Sequence, residues 1–121
     1  MSEYRWRAFD ADEQRKLIGS GMRGLDGESE CPHCGQISVR WYYYDLSRFP
    51  GRAELIKWCP RCTRFATWMI ASCTDRFEIS DPIADTPLKD LVVRKSAEAV
   101  LWKLDDKWNR GILPQDNSPK E

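Results

Sequence analysis

The chain has 121 residues and a formal net charge of zero, with 19 basic and 19 acidic side chains. This length is typical of one domain, so we expect a single domain over residues 1–121. The balanced charge argues against a uniformly basic nucleic-acid-binding protein and against an acidic tail protein. The six tryptophans, four tyrosines and four phenylalanines predict a large apolar area for a core or a binding face.

The first residues are charged and contain no apolar stretch of the kind found in a signal peptide. No run approaches the roughly 20 apolar residues of a membrane span. We therefore predict a cytoplasmic protein that is not inserted in a membrane. In a reducing compartment, paired cysteines more often hold a metal ion than form a disulfide.

The first predicted element in chain order is a short helix over residues 10–18. Asp10 is a suitable N-cap, Glu13 completes a capping box, and Gly19 ends the pattern. Four glycines between residues 19 and 30 then predict a loop.

Two similar motifs follow, Cys-Pro-His-Cys-Gly at 31–35 and Cys-Pro-Arg-Cys at 59–62. A Cys-x2-Cys turn supplies two thiolates, and two such turns complete the tetrahedral shell that zinc prefers. Four thiolates leave no open coordination position, so the predicted site is structural. The expected ligands of one Zn²⁺ are Cys31, Cys34, Cys59 and Cys62.

The residues around the motifs refine this prediction. Gly35 suits the positive φ with which the chain leaves the first turn, whereas Thr63 at the matching place in the second turn predicts some backbone strain. His33 lies between two ligands and is expected to point outward, although it is an alternative ligand. Cys73 lies in an apolar stretch and is expected to behave as a small apolar side chain.

Three β-strands are predicted over residues 37–45, 54–58 and 64–72, which are rich in aromatic and β-branched side chains. The 24 residues between the motifs have room for a hairpin that brings the two turns together. In the first strand, alternation places Ile37, Val39, Trp41 and Tyr43 on one face and Arg40, Tyr42 and Tyr44 on the other.

The C-terminal part is predicted to be helical from about residue 86 to 110, after a surface connection over 74–87. Apolar residues recur there at three- and four-residue steps, and Gly111 with Pro114 ends the pattern. The adjacent Asp105 and Asp106 are expected to be ordinary surface charge. The polar tail, residues 115–121, is expected to be disordered.

These elements define an α+β domain, and the two Cys-Pro-x-Cys turns with their strands resemble a zinc ribbon over about residues 30–72. The resemblance implies a three-stranded antiparallel sheet, here flanked by a short N-terminal helix and a longer C-terminal helix packed on one sheet face. A narrower resemblance is to small bacterial zinc-ribbon immunity proteins of polymorphic toxin systems. The residues that carry it are Cys31 to Gly35, Trp58 to Cys62, and Trp108 with Gly111, Leu113 and Pro114.

The narrower resemblance implies a non-catalytic protein-binding module that binds and occludes a bacterial toxin. Aromatic and arginine side chains dominate many interfaces. The candidate partner-binding residues are therefore the aromatic residues expected on the exposed face, Tyr42, Tyr44 and Phe49, with Arg48 and Arg52 at the tip of the hairpin. Enzymatic activity is not expected, because no nucleophile–base pair, phosphate-binding loop or open metal site is recognisable.

The alternative function is nucleic-acid binding. Residues 31–74 carry six basic and two acidic side chains, interleaved with aromatic residues that could stack on bases. A third interpretation is that these arginines form the solvated face of a small sheet, or that they meet an acidic protein.

Overall fold

The computed structural model describes residues 6–18, 28–45, 50–72, 77–79, 93–113 and 117–119. These residues form the α+β fold expected from the sequence, with two helices, a five-stranded sheet and a separate two-stranded sheet. The elements in chain order are β1 (Arg7–Ala8), α1 (Ala11–Ile18), β2 (Ser29–Glu30), β3 (Ile37–Asp45), β4 (Arg52–Cys59), β5 (Arg64–Ala71), β6 (Phe77–Ile79), α2 (Val93–Asn109) and β7 (Asn117–Pro119).

The three predicted strands form the antiparallel centre of the sheet. Tyr42 of β3 lies opposite Ile56 of β4, which in turn lies opposite Thr67 of β5. The prediction that the residues between the cysteine motifs fold back as a hairpin is therefore confirmed.

The predicted strand count of three is wrong, because the described residues form a sheet of five strands in the order β1-β5-β4-β3-β2. The strand β1 pairs in parallel with the start of β5, and β2 pairs antiparallel with the start of β3. Each added strand has only two residues. A two-residue strand shows no apolar–polar alternation, which is the pattern by which strands are recognised in sequence.

Helix α1 begins with the predicted capping box. The Glu13 backbone N–H donates to Asp10 Oδ1 at 2.8 Å, and the Asp10 backbone N–H donates to Glu13 Oε1 at 2.9 Å. These reciprocal bonds satisfy two amides that a helix start would otherwise leave unpaired. At the other end of the helix, Leu17 is buried against the sheet, together with Phe9 and Val39.

Both faces of the sheet contribute to the core. On one face, Trp41, Tyr43 and Leu55 form a cluster to which Ile18 of α1 packs. The opposite face packs against α2 through a second cluster, formed by Tyr42, Tyr44, Ile56, Trp58, Val100, Leu101 and Leu104. The C-terminal helix therefore does pack on a sheet face, but the face it covers is the one expected to be exposed.

Helix α2 ends where the sequence predicts. Gly111 has a φ of +80°, its N–H donates to Trp108 O at 3.1 Å, and the Ile112 N–H donates to Lys107 O at 3.0 Å. This pair of bonds is the Schellman arrangement, in which a residue with positive φ lets the chain satisfy the last carbonyls. The predicted start near residue 86 lies outside the described residues. No described helix has the length and apolar composition needed to cross a membrane.

The polar tail is not disordered at Asn117–Pro119. These residues form β7, which pairs antiparallel with Phe77–Ile79, within the segment expected to be a surface connection. Hydrogen bonding to a segment distant in sequence orders them, and the polar composition of the tail contains no sign of that pairing.

A buried charged group joins α2 to the sheet. Asp105 Oδ1 accepts hydrogen bonds from Arg40 Nη1 at 2.6 Å and from Trp58 Nε1 at 2.9 Å. Arg40 also bonds to Glu28 and Asn109. The expectation that Asp105 is surface charge is therefore wrong: Asp105 is buried, whereas Asp106 is exposed and pairs with Arg110.

Replacing Asp105 with alanine should destabilise the fold by about 3 kcal/mol, because it leaves the Arg40 charge and the Trp58 N–H without their shared acceptor. The matched change Asp106→Ala removes an exposed ion pair and should cost less than about 1 kcal/mol. Urea denaturation of both variants measures the difference. Equal destabilisation by the two substitutions would contradict the assignment.

Candidate metal centre

The four predicted cysteine ligands meet at one end of the sheet. Cys31 and Cys34 precede β3, Cys59 ends β4, and Cys62 precedes β5. Because β3, β4 and β5 are antiparallel neighbours, the start of β3, the end of β4 and the start of β5 lie at the same sheet end. The four Sγ atoms are all within 4.8 Å of one another, so they form a group that could hold one metal ion.

The sulfur spacing fits a tetrahedral metal. Cys31 Sγ lies 3.7 Å from Cys62 Sγ, and Cys34 Sγ lies 3.7 Å from Cys59 Sγ. A tetrahedral zinc with Zn–S bonds of about 2.3 Å has S–S edges of about 3.8 Å. A disulfide would need about 2.05 Å, and all four cysteines are free.

The first cysteine turn directs backbone donors at a sulfur atom. The N–H groups of His33 and Cys34 each lie 3.4 Å from Cys31 Sγ. The turn itself is closed by bonds from the Gly35 N–H to Cys31 O at 2.9 Å and from the Cys31 N–H to Gln36 O at 2.8 Å. Donors placed in this way stabilise negative charge on sulfur, which is the form that binds a metal.

The pKa values of three of the cysteine thiols are shifted, two upward and one downward. Burial raises the pKa of the Cys31 thiol, against the effect of its two backbone donors, and burial with the nearby Cys59 raises that of Cys62. Burial also acts to raise the pKa of Cys34, but hydrogen bonds from the Gln36 N–H and from neighbouring side chains outweigh it and lower the pKa to about 7. Like charges this close oppose one another, so a cation is needed to hold all four as thiolates.

Ser38 is a contributor to the site that the sequence analysis missed. Its Oγ lies 3.0 Å from Cys59 Sγ and 4.0 Å from Cys34 Sγ, and the residue is buried. A hydroxyl in this place can donate to an ionised sulfur. In the sequence, Ser38 is recognisable only as a small polar residue in an aromatic strand, four positions after the predicted ligand Cys34. Whether its side chain points toward the cysteines depends on how β3 pairs with β4, which the sequence pattern does not give.

His33 is exposed, as predicted, and is not among the four clustered ligands. Its Nδ1 lies 2.8 Å from Glu13 Oε2. The pKa of Glu13 is lowered, mainly by the hydrogen bond from the Asp10 backbone N–H. Partial burial acts to raise this pKa, and the hydrogen bond with His33 acts to lower it. The histidine thus connects the first cysteine turn to the start of α1.

The second cysteine turn carries the predicted backbone strain. Thr63 has a φ of +52°, against +78° for Gly35 in the first turn. The left-handed region is unfavourable for a β-branched residue. The Thr63 hydroxyl donates to Cys62 O at 2.7 Å, and Thr63 O accepts from the Arg7 N–H at 3.0 Å, so local bonds hold the strained conformation.

The candidate partner-binding residues differ in their exposure to solvent. Tyr42 and Tyr44 lie under α2 with 1% and 4% of their surfaces exposed, so the expectation that they are exposed is wrong. Arg52 is exposed, and its role in binding stays a prediction. Arg48, Phe49 and Cys73 lie outside the described residues.

Comparison with known proteins adds no assignment. The chain matches no family model, and its comparison with curated proteins and with solved structures gives no match.

Replacing Thr63 with glycine should stabilise the folded protein by about 1 kcal/mol, because glycine adopts positive φ without a steric penalty. The reciprocal change Gly35→Thr should destabilise it by about 1–2 kcal/mol. Since a Cβ at Gly35 would have no heavy atom within 4 Å apart from those of Gly35 and its two chain neighbours, backbone conformation is the cause tested there. Thermal denaturation of the metal-loaded proteins measures both changes, and a destabilising Thr63→Gly would refute the strain argument.

Proposed function

We propose that the four cysteines bind one structural Zn²⁺ and that the protein is a non-catalytic, protein-binding zinc-ribbon module. The observation that carries the proposal is the closed group of four thiols at tetrahedral spacing. Thiolate ligands favour zinc over oxygen-preferring ions such as magnesium and calcium. Because four thiolates fill the shell, the proposal assigns the metal no chemical step.

The metal would stabilise the junction of three strands. It would connect the chain before β3 to the end of β4 and the start of β5, where the antiparallel strands meet. Closed zinc sites contribute about 10–16 kcal/mol of apparent binding free energy in small zinc-binding peptides. This is comparable with the whole stability of a domain, about 5–15 kcal/mol.

Two observations favour a protein partner over nucleic acid. Lys57 is buried, donates to Leu17 O at 2.9 Å, and has its pKa lowered to about 8 by that burial. Arg40 is held in ion pairs with Glu28 and Asp105. Two of the six basic residues that motivate nucleic-acid binding are thus occupied within the fold.

The aromatic side chains support the same choice. Tyr42, Tyr44, Trp41 and Trp58 are all buried, so they are not placed to stack on bases. This leaves a modest positive surface to which these four rings contribute no stacking platform, and such a surface is better suited to an acidic protein than to a single strand of nucleic acid.

The finer proposal is that the partner is a bacterial toxin domain and that the protein neutralises it by covering its active site. It rests on the resemblance of the cysteine motifs and of the Trp108–Pro114 segment to zinc-ribbon immunity proteins. The mechanism would be steric, with the zinc acting through the shape of the binding surface.

Purified protein should contain one zinc per chain, and a chelator strong enough to remove it should unfold the ribbon. Cys34→Ser should lower the zinc content, whereas Cys73→Ser should retain one zinc, because Cys73 is not among the proposed ligands. Elemental analysis and far-ultraviolet circular dichroism test this. A metal-free protein with an unchanged spectrum would be incompatible with the stabilising role of the metal.

The nature of the partner can be tested by photocrosslinking in the native cell. A photoreactive phenylalanine analogue placed in turn at the exposed positions Arg15, Ile37, Arg52 and Arg61 should give a discrete adduct from at least one position. The adduct should be sensitive to protease and resistant to nuclease. Nuclease-sensitive adducts would favour the nucleic-acid alternative, and the absence of adducts at every position would reject a protein partner.

A further inference from the structure

The outer edge of β5 has no strand partner along most of its length in the described part of the chain. The neighbouring β1 pairs only with Arg64 and Phe65, and the chain then leaves the sheet through Phe9 into α1. The six residues Ala66–Ala71 continue beyond that contact. They are paired with β4 on one side only.

The hydrogen bonds show which backbone groups face outward. Thr63 O and Phe65 O accept from the N–H groups of Arg7 and Phe9, on the outer side of the strand, whereas the Ser72 N–H donates inward to Gly51 O. Because backbone direction alternates along an antiparallel strand, residues 67, 69 and 71 also point outward. Within the described residues, the N–H and C=O groups of Thr67, Met69 and Ala71 have no hydrogen-bond partner.

The side chains of β5 are more exposed to solvent than those of β3, on the other side of the sheet. On β3, residues Trp41–Tyr44 are all buried, whereas on β5 Met69 is 56% exposed and Ala71 is also exposed. Residues 66–71 contain no lysine, proline or charged side chain. Proteins usually place such residues on a free edge to prevent unwanted pairing, so this edge is open to an added strand.

Arginine side chains lie at both ends of the free edge. Arg7 and Arg64 are directly opposite each other on β1 and β5, which is unfavourable for like charges, and the Arg64 Nε is buried without a hydrogen-bond partner. Arg61 is exposed in the adjacent cysteine turn, and Arg52 lies beside Ala71 at the far end. None of the four forms an ion pair with a described residue.

We propose that the outer edge of β5 binds an extended, acidic segment of a partner protein, which joins the sheet as an additional strand. The backbone groups of Thr67, Met69 and Ala71 would pair with the segment, and its acidic residues would lie against the terminal arginines. This inference rests on the proposed protein-binding function and specifies its surface. A second copy of β5 is a poorer occupant, because antiparallel pairing would bring Arg64 of one copy near Arg52 of the other.

Amide chemical shifts of the ¹⁵N-labelled, zinc-loaded protein provide a residue-specific test. The probe is a peptide of alternating glutamate and valine, about ten residues long, which is suited to an extended strand. Its controls are the same peptide with central prolines, the peptide with lysine in place of glutamate, and a single-stranded oligonucleotide of equal charge. The acidic peptide alone should shift the amides of Thr67, Met69 and Ala71.

Variants with matched controls separate the backbone and charge contributions. Met69→Pro removes an outward N–H without removing a bond to β4 and should weaken peptide binding about tenfold or more, whereas Met69→Thr should change it little. Arg61→Glu should weaken binding about tenfold, and Arg15→Glu on α1 should not. If Met69→Pro fails to fold, the arginine pair decides the outcome.

Binding of the proline-containing peptide or the oligonucleotide as tightly as the acidic peptide would overturn the proposal. So would shifts confined to other surfaces, or equal binding by Arg61→Glu and Arg15→Glu. Photocrosslinking distinguishes this failure from failure of the proposed function. A protein adduct formed from Ile37 but from neither Arg52 nor Arg61 would retain a protein partner and reject the β5 edge.

Discussion

The meeting of four thiols at one end of the sheet is the constraint on which the rest of the molecule depends. Two pairs of sulfur atoms, each 3.7 Å apart, bring together cysteines that are 31 and 25 residues apart in sequence. Thiolates at this spacing repel one another unless a cation offsets their charge. In the proposed zinc-bound state, the metal would therefore determine where the hairpin begins and ends, and the register of β3, β4 and β5 would follow from it.

The sheet organised in this way is stabilised on both faces by helices attached through polar contacts. On one face, α1 is connected to the first cysteine turn by the Glu13–His33 contact and receives a hydrogen bond from buried Lys57 at Leu17 O. On the other face, Asp105 of α2 accepts from Arg40 and Trp58. Burying the charged side chains of Lys57 and Asp105 would be costly if they were unpaired, so their hydrogen bonds favour one docking position for each helix.

Several elements were predictable because their physical basis is local. The capping box at Asp10, the helix end at Gly111 and the strain at Thr63 each depend on a few neighbouring residues, and the structure confirms all three. The three long strands also agree closely with their sequence pattern. The clustering of the four cysteines followed from motif spacing together with a hairpin between the motifs.

The features that were missed depend on contacts distant in sequence. Tyr42 and Tyr44 alternate with Trp41 and Tyr43, but alternation cannot tell which face a helix covers, and here both faces are covered. Asp105 and Asp106 are adjacent acids in one helix, and only the docking of α2 distinguishes the buried from the exposed one. The short strands β1, β2, β6 and β7 likewise exist through their pairing partners.

The most direct test of the metal centre is X-ray absorption spectroscopy of the zinc protein as purified. The account predicts a single shell of four sulfur atoms at about 2.3 Å from zinc. A shell containing nitrogen or oxygen would contradict a closed four-cysteine centre. Three sulfur atoms with a histidine would indicate a closed site with a different ligand, whereas three sulfur atoms with a water molecule would indicate an exchangeable metal position.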